Sequence, residues 1–434
     1  MSLRDLPKVD VLASAAELVS FTPEVRIASA RHAIDLGRLR IGAGQPMGNL
    51  LESALNHANA LSLPSMVPVI NASGVILHTG LGRARLAASV AQELGQLAAN
   101  HARVEFDLET GKRGDRQDHV RELLCYLTGA EDAYVVNNCA AAVFLSLSAL
   151  AKRKEVILSR GEMVEIGGAF RMPDVVRQSG CKLVEIGCTN KTHVKDYSEA
   201  ISSRTAAILR CHPSNFHIVG FTETPTTEEL AGLAQQHGVV LIYDVGSGCL
   251  VDTSQFGLPR EPVLGESLKQ GADLVLSSGD KMLGGPQSGL ILGSKSLMSR
   301  IKKHPLARAV RIDKLSLYAL DATLKLYVNG RQNEIPTLRY LNRDLAEVKA
   351  FAERIAKACG GDVSEALTET GGGSIPGQGV KTWRVSLPQG KPERQMRSLR
   401  ELSVPVIGRI EAGRVWLDPR TCDENEVRFI ESSF

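Results

Sequence analysis

The chain has 434 residues, too many for one simple core, and at roughly 150 residues per domain two or three units are expected. Lys and Arg number 51 against 48 Asp and Glu, and this net charge of +3 excludes the global footprint of a nucleic-acid binder, so any polyanion must meet a local patch. The eight cysteines form no C-x-x-C pair and no zinc spacing, no apolar signal core opens the chain, and no stretch approaches the roughly 18 apolar residues of a membrane span. Reduced thiols, no metal and a cytoplasmic location are expected.

Residues 1–66 predict a helical domain, because PEVRIASARHAIDLGRLRI spaces Ile27, Ala30, Ile34 and Ile41 at helical intervals. The Pro-containing LSLPSMVPVI ends it. From about residue 130 strand-like and helical stretches alternate: AYVVNN, the helix CAAAVFLSLSALA, EVILSR, KLVEIG, TAAILRC, the helix TEELAGLAQQHG, VVLIYDVG and ADLVLSS. Continuous apolar runs of this kind suit a mostly parallel sheet covered by helices on both faces, so residues 67–325 read as a large α/β domain. Residues 326–434 read as a smaller α+β domain, in which GGGSIPGQG at 371–379 is a loop and KTWRVSL and GRVWLD are strands.

Ligands of open parallel sheets gather where strands end. Three such ends carry chemistry. After AYVV comes Asn137-Asn138-Cys139-Ala140 at a helix start, where free amides favour a phosphate, although an ordinary N-cap reads the same way. After VVLIY comes Asp244, a carboxylate that needs a partner such as a protonated ring nitrogen, with a metal or structural role left open. After ADLVL comes Ser277-Ser278-Gly279-Asp280-Lys281. A lysine about 37 residues beyond such an aspartate, with hydroxyls before it, is what pyridoxal phosphate requires: an amine, an acid for the ring nitrogen and donors for the phosphate. The glycines of SSGDKMLGGPQSG are expected to clear room for something docked on Lys281.

There is no G-x-x-x-x-G-K-[ST], and TGLGRARL has Arg85 where a dinucleotide fingerprint wants its third small residue. Arginines form a further group: Arg83, Arg113, Arg116, Arg308 and Arg311. Arg116 fits a solvated surface best. Arg308 and Arg311, at i and i+3, are expected to share a helix face and fork a tetrahedral anion.

INASGVILHTGLGRARL, DLETGKRGDR, SRGEMVEIGGAFRMPDV, HPSNFHIVGFT, DVGSG, SGDKMLGGPQSGLILG, HPLARAVRIDKL and EIPTLRYL closely resemble the bacterial selenocysteine synthases, the L-seryl-tRNA(Sec) selenium transferases. The likeness runs from LRDLPKVD to GRVWLDPRT. It implies a fold-type-I pyridoxal-phosphate enzyme, a tRNA-binding N-terminal domain, seryl-tRNA(Sec) and selenophosphate as substrates, and a homo-oligomer of dimers, a decamer in the family. By position it implies that Lys281 holds the cofactor, Asp244 its ring nitrogen, and Ser278 with Asn138 and Cys139 its phosphate. Asp280, Arg83, Arg308 and Arg311 then match active-site residues. Lys281 would take the α-proton, the seryl hydroxyl would leave, and the arginines would hold the selenium donor for addition.

The chain departs from the family pattern at Gly80 (Asn), Arg85 (Pro), Cys139 (Asn) and HARVEFD (a YSNLEY-like segment), and residues 1–60 balance six basic against six acidic side chains. A related lyase or transferase acting on a small anionic amino compound is the alternative enzyme. A tRNA-binding scaffold without catalysis is the third reading, and intact Lys281 and Asp244 speak against it.

Overall fold

A computed structural model describes residues 3–168 and 170–434, without the side chains of residues 374–376. The chain divides into two compact units, one ending at Val69 and one spanning Ile70–Phe434. In the first, helices Val9–Ala13, Pro23–Gly42 and Leu50–Ser62 enclose Leu12, Leu18, Ala30, Ile34, Leu50 and Ala54. Pro23 sits at a helix start, where its missing N–H costs nothing. Asn49 caps the next helix by accepting the Glu52 amide at 3.1 Å. The buried stripe of the long helix is Ser29, Ala30, Ala33, Ile34 and Gly37, and Ile27 is exposed. Small residues win that face because a Cβ on Gly37 would stand 3.0 Å from both Leu50 and Leu6.

The second unit is built on seven strands: β1 (Asp132–Val136), β2 (Glu155–Ser159), β3 (Lys182–Ile186), β4 (Thr205–Cys211), β5 (Val240–Gly246), β6 (Leu274–Ser278) and β7 (Gly289–Gly293). Their spatial order is β1-β7-β6-β5-β4-β2-β3. Only β7 runs antiparallel to its neighbours. Ile157, Ile208, Leu241 and Val275 join one buried layer, while Val156, Leu158, Leu209, Ile242 and Leu276 join the opposite one. Both faces are dry, which is why these strands read as unbroken apolar runs.

A five-stranded sheet lies in the C-terminal part, ordered 409–411, 414–417, 374–386, 362–371 and 75–77. Helices Leu345–Cys359, Pro392–Arg400 and Glu424–Ser432 pack their apolar faces on it through Phe351, Ile355, Leu399, Val427 and Ile430. Residues 371–379 are not the expected open loop: strand Asp362–Gly371 turns straight into Ser374–Ser386. Gly371, Gly372 and Gly373 make this possible by all adopting left-handed backbone, φ 72°, 64° and 71°. Strand Val75–Leu77 joins the hairpin in parallel, so the segment leading to Arg83 is anchored to the C-terminal sheet.

Candidate active site

Asp244 lies two residues before the end of β5 and the Ser277–Ser278 pair ends β6, adjacent strands in parallel register. The chain then closes a tight turn on itself. Gly279 N–H donates to Ser288 O at 2.9 Å, Gly285 N–H to Gly279 O at 2.9 Å, and Gly284 N–H to Lys281 O at 2.9 Å. This corrects the expectation for the glycines. A Cβ on Gly279 would stand 2.1 Å from Ser288 Oγ, on Gly284 2.2 Å from Ile335, and on Gly289 2.1 Å from Asn138 O. They clear room for the protein's own chain.

The glycines that flank the lysine's amine come from elsewhere. A Cβ on Gly246 (φ 71°) would stand 4.0 Å from Lys281 Nζ, and one on Gly373 (φ 71°) would stand 3.9 Å from it. Lys281 itself is buried, and among the described residues its Nζ makes no hydrogen bond or ion pair. A cavity of about 570 Å³ adjoins this point, lined by Thr79, Arg83, Ile166, Asn215, Gly372 and Gly373.

Asp280 is clamped. Ser278 Oγ donates to its Oδ1 at 2.5 Å and Arg83 Nη1 to its Oδ2 at 2.8 Å. Arg83 has left-handed backbone, φ 62°, an uncommon state for a side chain with a Cβ that is worth reading as a functional constraint. Its Nε is buried without a partner, as are Ser277 Oγ and Asn215 Oδ1. Ser278 is therefore committed to Asp280, and the free hydroxyl of that strand end is Ser277.

Burial pushes the Asp244 carboxyl up to about 6, opposed first by the Lys281 charge and then by a hydrogen bond from Cys139. That bond runs from Cys139 Sγ to Asp244 Oδ1 at 3.5 Å. Burial raises the thiol well above its ordinary value, so it stays a donor. Cys139 opens the helix Cys139–Leu150, whose cap Asn138 accepts the Ala141 amide at 2.8 Å. The amides of Cys139 and Ala140 are left without intrahelical partners and face an anion's needs.

Arg308 and Arg311 do not share a helix face. The helix Leu306–Ala309 stops before Arg311, which bridges Val136 at the end of β1, and Asn137 N–H donates to Val310 O at 3.0 Å. Sheet pairing overrides the i, i+3 spacing and sets Arg311 beside the Asn138 turn. Its Nη1 donates to Glu105 Oε1 at 3.2 Å, and Arg113 Nη2 donates to Glu105 Oε2 at 2.7 Å. Arg116, expected on the solvated surface, is the most buried of the group: it donates to Glu105 Oε1 at 2.5 and 2.8 Å and to Ile312 O at 2.6 Å. The bonds from Arg116, first, and from Arg113 hold the Glu105 carboxyl below its usual range, against its desolvation. Arg308 is exposed and makes no side-chain hydrogen bond or ion pair among the described residues. The structure thus brings Lys281, Asp280, Ser278, Asp244, Cys139 and Arg83 together, and ties Arg311 to Glu105 instead.

The family SelA, L-seryl-tRNA selenium transferase, matches residues 69–423. The chain is 43% identical over 457 aligned positions to the L-seryl-tRNA(Sec) selenium transferase of Hyphomonas neptunium, covering 100% of this chain and 98% of that protein. It is 44% identical over 450 positions to the protein of that name from Desulfotalea psychrophila, covering 98% and 96%. The chain belongs to the L-seryl-tRNA selenium transferase family.

Among solved structures, D-glucosaminate-6-phosphate ammonia-lyase matches with TM-score 0.61 at 23% identity, covering 85% of this chain and 95% of that one. The fold is that of the fold-type-I pyridoxal-phosphate enzymes. Within this frame the departures of this selenium transferase separate. Cys139 touches Asp244 directly. Arg85 points elsewhere, donating to Tyr340 Oη at 2.8 Å and to Glu426 Oε1 at 3.2 Å, and so ties its segment to the last helix. HARVEFD supplies Glu105, which gathers three arginines. Gly373, Asn215 and Glu105 escaped the sequence analysis of this site. Only HPSNFHIVGFT, which contains Asn215, carried a signal, as a polar stretch straight after β4.

The residues present fit pyridoxal phosphate. A buried unpaired amine stands between two Cβ-free positions, a buried carboxylate lacks a full partner, and buried polar atoms around them lack donors or acceptors.

Proposed function

We propose that the chain converts seryl-tRNA(Sec) to selenocysteyl-tRNA(Sec) with pyridoxal 5′-phosphate on Lys281 and selenophosphate as the selenium donor. The observation that carries this reading is the unpaired Lys281 amine between Gly246 and Gly373, one strand from buried Asp244. When bound, pyridoxal phosphate supplies an aldehyde for amines and a ring that accepts the electron pair of a broken Cα–H bond. Asp244 holds the ring nitrogen, and Cys139 holds Asp244. The amides of Cys139 and Ala140 and the Ser277 hydroxyl receive the phosphate, in place of Ser278, whose hydroxyl stays on Asp280.

Lys281 yields its place to the seryl amine and is then a free base for the α-proton. The same proton, returned to the hydroxyl oxygen, lets water leave. Arg83 offers its guanidinium to the oxyanion of the selenium donor, and the further guanidinium groups for it are those of Arg308, which is exposed, and of Arg311, which Glu105 already holds through Nη1. Asp280, clamped by Ser278 and Arg83, orients the lysine that follows it. The N-terminal unit meets the tRNA, the working protein is an assembly of dimers, and the compartment is the cytoplasm, where tRNAs are charged.

The test supplies purified protein with labelled selenophosphate and either seryl-tRNA(Sec) or a seryl-charged bulk tRNA. Selenium is expected in the tRNA(Sec) sample alone. Borohydride reduction and peptide mapping should place a pyridoxyl group on Lys281. A pyridoxyl group on another lysine, or turnover of a small amino compound without any of tRNA, would overturn the reading.

A further inference from the structure

The chain leaving β4 turns back at once, with Ser214 N–H donating to His212 O at 2.7 Å. This turn sets Ser214 and Asn215 beside the Lys281 amine. The point where a Cβ on Gly373 would sit is 3.9 Å from Lys281 Nζ and 3.5 Å from Asn215 Cβ, and the corresponding point at Gly246 is 4.0 Å from Lys281 Nζ and 3.6 Å from Ser214 Oγ. Asn215 also lines the cavity of about 570 Å³, together with Thr79, Arg83, Gly372 and Gly373.

The Asn215 amide has one workable orientation. Its Nδ2 donates to Glu165 O at 2.8 Å, and a reversed amide would press two acceptor oxygens together. Oδ1 is the end left over, an acceptor withdrawn from water and without a partner among the described residues. Such an atom costs free energy until a donor meets it. None of the chemistry above uses it.

We propose that Asn215 is a specificity-determining residue, whose Oδ1 accepts a hydrogen bond from the side-chain hydroxyl of the seryl group and so selects serine over amino acids that lack this donor. The inference rests on the seryl-tRNA(Sec) reading of the site.

The aminoacyl end of a seryl-tRNA carries three kinds of donor: the amine, the seryl hydroxyl and the ribose hydroxyl of the last nucleotide. The amine is engaged with the cofactor. The seryl hydroxyl stands one carbon from the Cα whose proton Lys281 takes, so an acceptor beside the Lys281 amine lies within its reach. The ribose hydroxyl lies beyond the ester, farther from Cα. An alanyl methyl group would leave Oδ1 unpaired, and an aspartyl carboxylate would set further acceptor oxygens against it. A site whose buried polar atom is paired only by the right substrate rejects the wrong one by that lost bond.

The experiment gives full-length, cofactor-loaded protein tRNA(Sec) charged with serine that carries tritium on Cα, without a selenium donor, and follows tritium released to water. Release reports loss of the α-hydrogen whatever becomes of the hydroxyl afterwards. Unlabelled alanyl-tRNA(Sec) is added as a competitor, so its inhibition constant is read in the same assay. Asn215→Ala should raise KM for the seryl substrate by about tenfold and leave the alanyl inhibition constant within about twofold of wild type. Asn215→Leu, close to asparagine in bulk and without an acceptor, should do the same, and it decides alone if Asn215→Ala does not fold. A parallel rise of both constants, with or without a lower Tm, would assign Oδ1 to the ribose or make Asn215 a piece of scaffold, and an unchanged seryl KM would leave the acceptor without a role. Either result overturns the inference. Absence of tritium release by wild type is a distinct outcome, which sinks the seryl-tRNA(Sec) reading and this inference with it.

Discussion

At Asp244 burial and charge pull in opposite directions, and the balance can be read as stability. Its carboxyl lies near 6 in the folded protein against the ordinary 3.8, with desolvation the leading cause. The folded state therefore holds the proton more tightly than the open chain does. Burying the charged form costs most above pH 6, and that cost fades as pH falls toward 4. In cofactor-free protein, the stability of Asp244→Asn relative to wild type should rise by up to about 3 kcal/mol between pH 4 and pH 7 and then level off. Urea melts of both proteins at three pH values measure this, and a pH-independent difference would mean that Asp244 stays ionised throughout. Lys281 and Asp244 were legible in the sequence because each comes soon after an apolar run, Asp244 near the end of β5 and Lys281 three residues past β6, where a charged residue has no structural reason to be. The role of the surrounding glycines was not. Their contacts are with Ser288, Ile335 and Asn138 O, long-range neighbours that no local pattern encodes. Arg116 and Arg311 escaped for the same reason: a single distant carboxylate, Glu105, decides which arginine is buried.

The hairpin 362–386 shows how an element can read as a loop and still serve the site. GGGSIPGQG has the composition of a flexible link, yet three successive left-handed glycines fold it into a turn that places Gly373 over Lys281. Gly377 lines the same cavity and provides a control for the backbone alone, since its φ is 69° and a Cβ there would meet nothing within 4 Å, Lys281 included. Gly373→Ala and Gly377→Ala should each lose about 1 kcal/mol of stability from forced left-handed backbone. Only Gly373→Ala should also weaken pyridoxal phosphate binding, by about tenfold or more, because a methyl group 3.9 Å from Lys281 Nζ takes space the ligand needs. Thermal melts and titration of the cofactor's visible absorption separate the two effects, and equal cofactor affinity in both variants would remove the hairpin from the site. The short helix ending at Ala309 carries the opposite lesson. Its i, i+3 arginine spacing was read as one face, and pairing of Arg311 with Val136 ended the helix first.

Across the whole molecule, the parallel sheet was legible because apolar runs without alternation have one economical solution, burial on both faces. The division at Val69 has a different physical content. The unit before it has its own core of Leu12, Leu18, Ile34 and Leu50, while every residue assigned to the site lies after Ile70. A chain reduced to residues 70–434 should therefore bind pyridoxal phosphate on Lys281 as the full chain does and lose its grip on tRNA(Sec). The charge of the N-terminal unit sharpens this expectation. Its six basic side chains over residues 1–60 are matched by six acidic ones, and Arg38 is already paired with Asp35 at 2.7 Å. Few phosphates can be neutralised by such a surface, and each one released contributes about one unit of salt slope. Binding of the full chain to tRNA(Sec) should then weaken by no more than about tenfold between 50 and 200 mM salt, where a surface making six or more phosphate contacts would lose about a thousandfold. Gel shifts of both chains against tRNA(Sec) and a bulk elongator tRNA across that range make the measurement. Undiminished tRNA affinity in the shortened chain would assign recognition to the larger unit, and a steep salt slope would locate a basic surface outside residues 1–60.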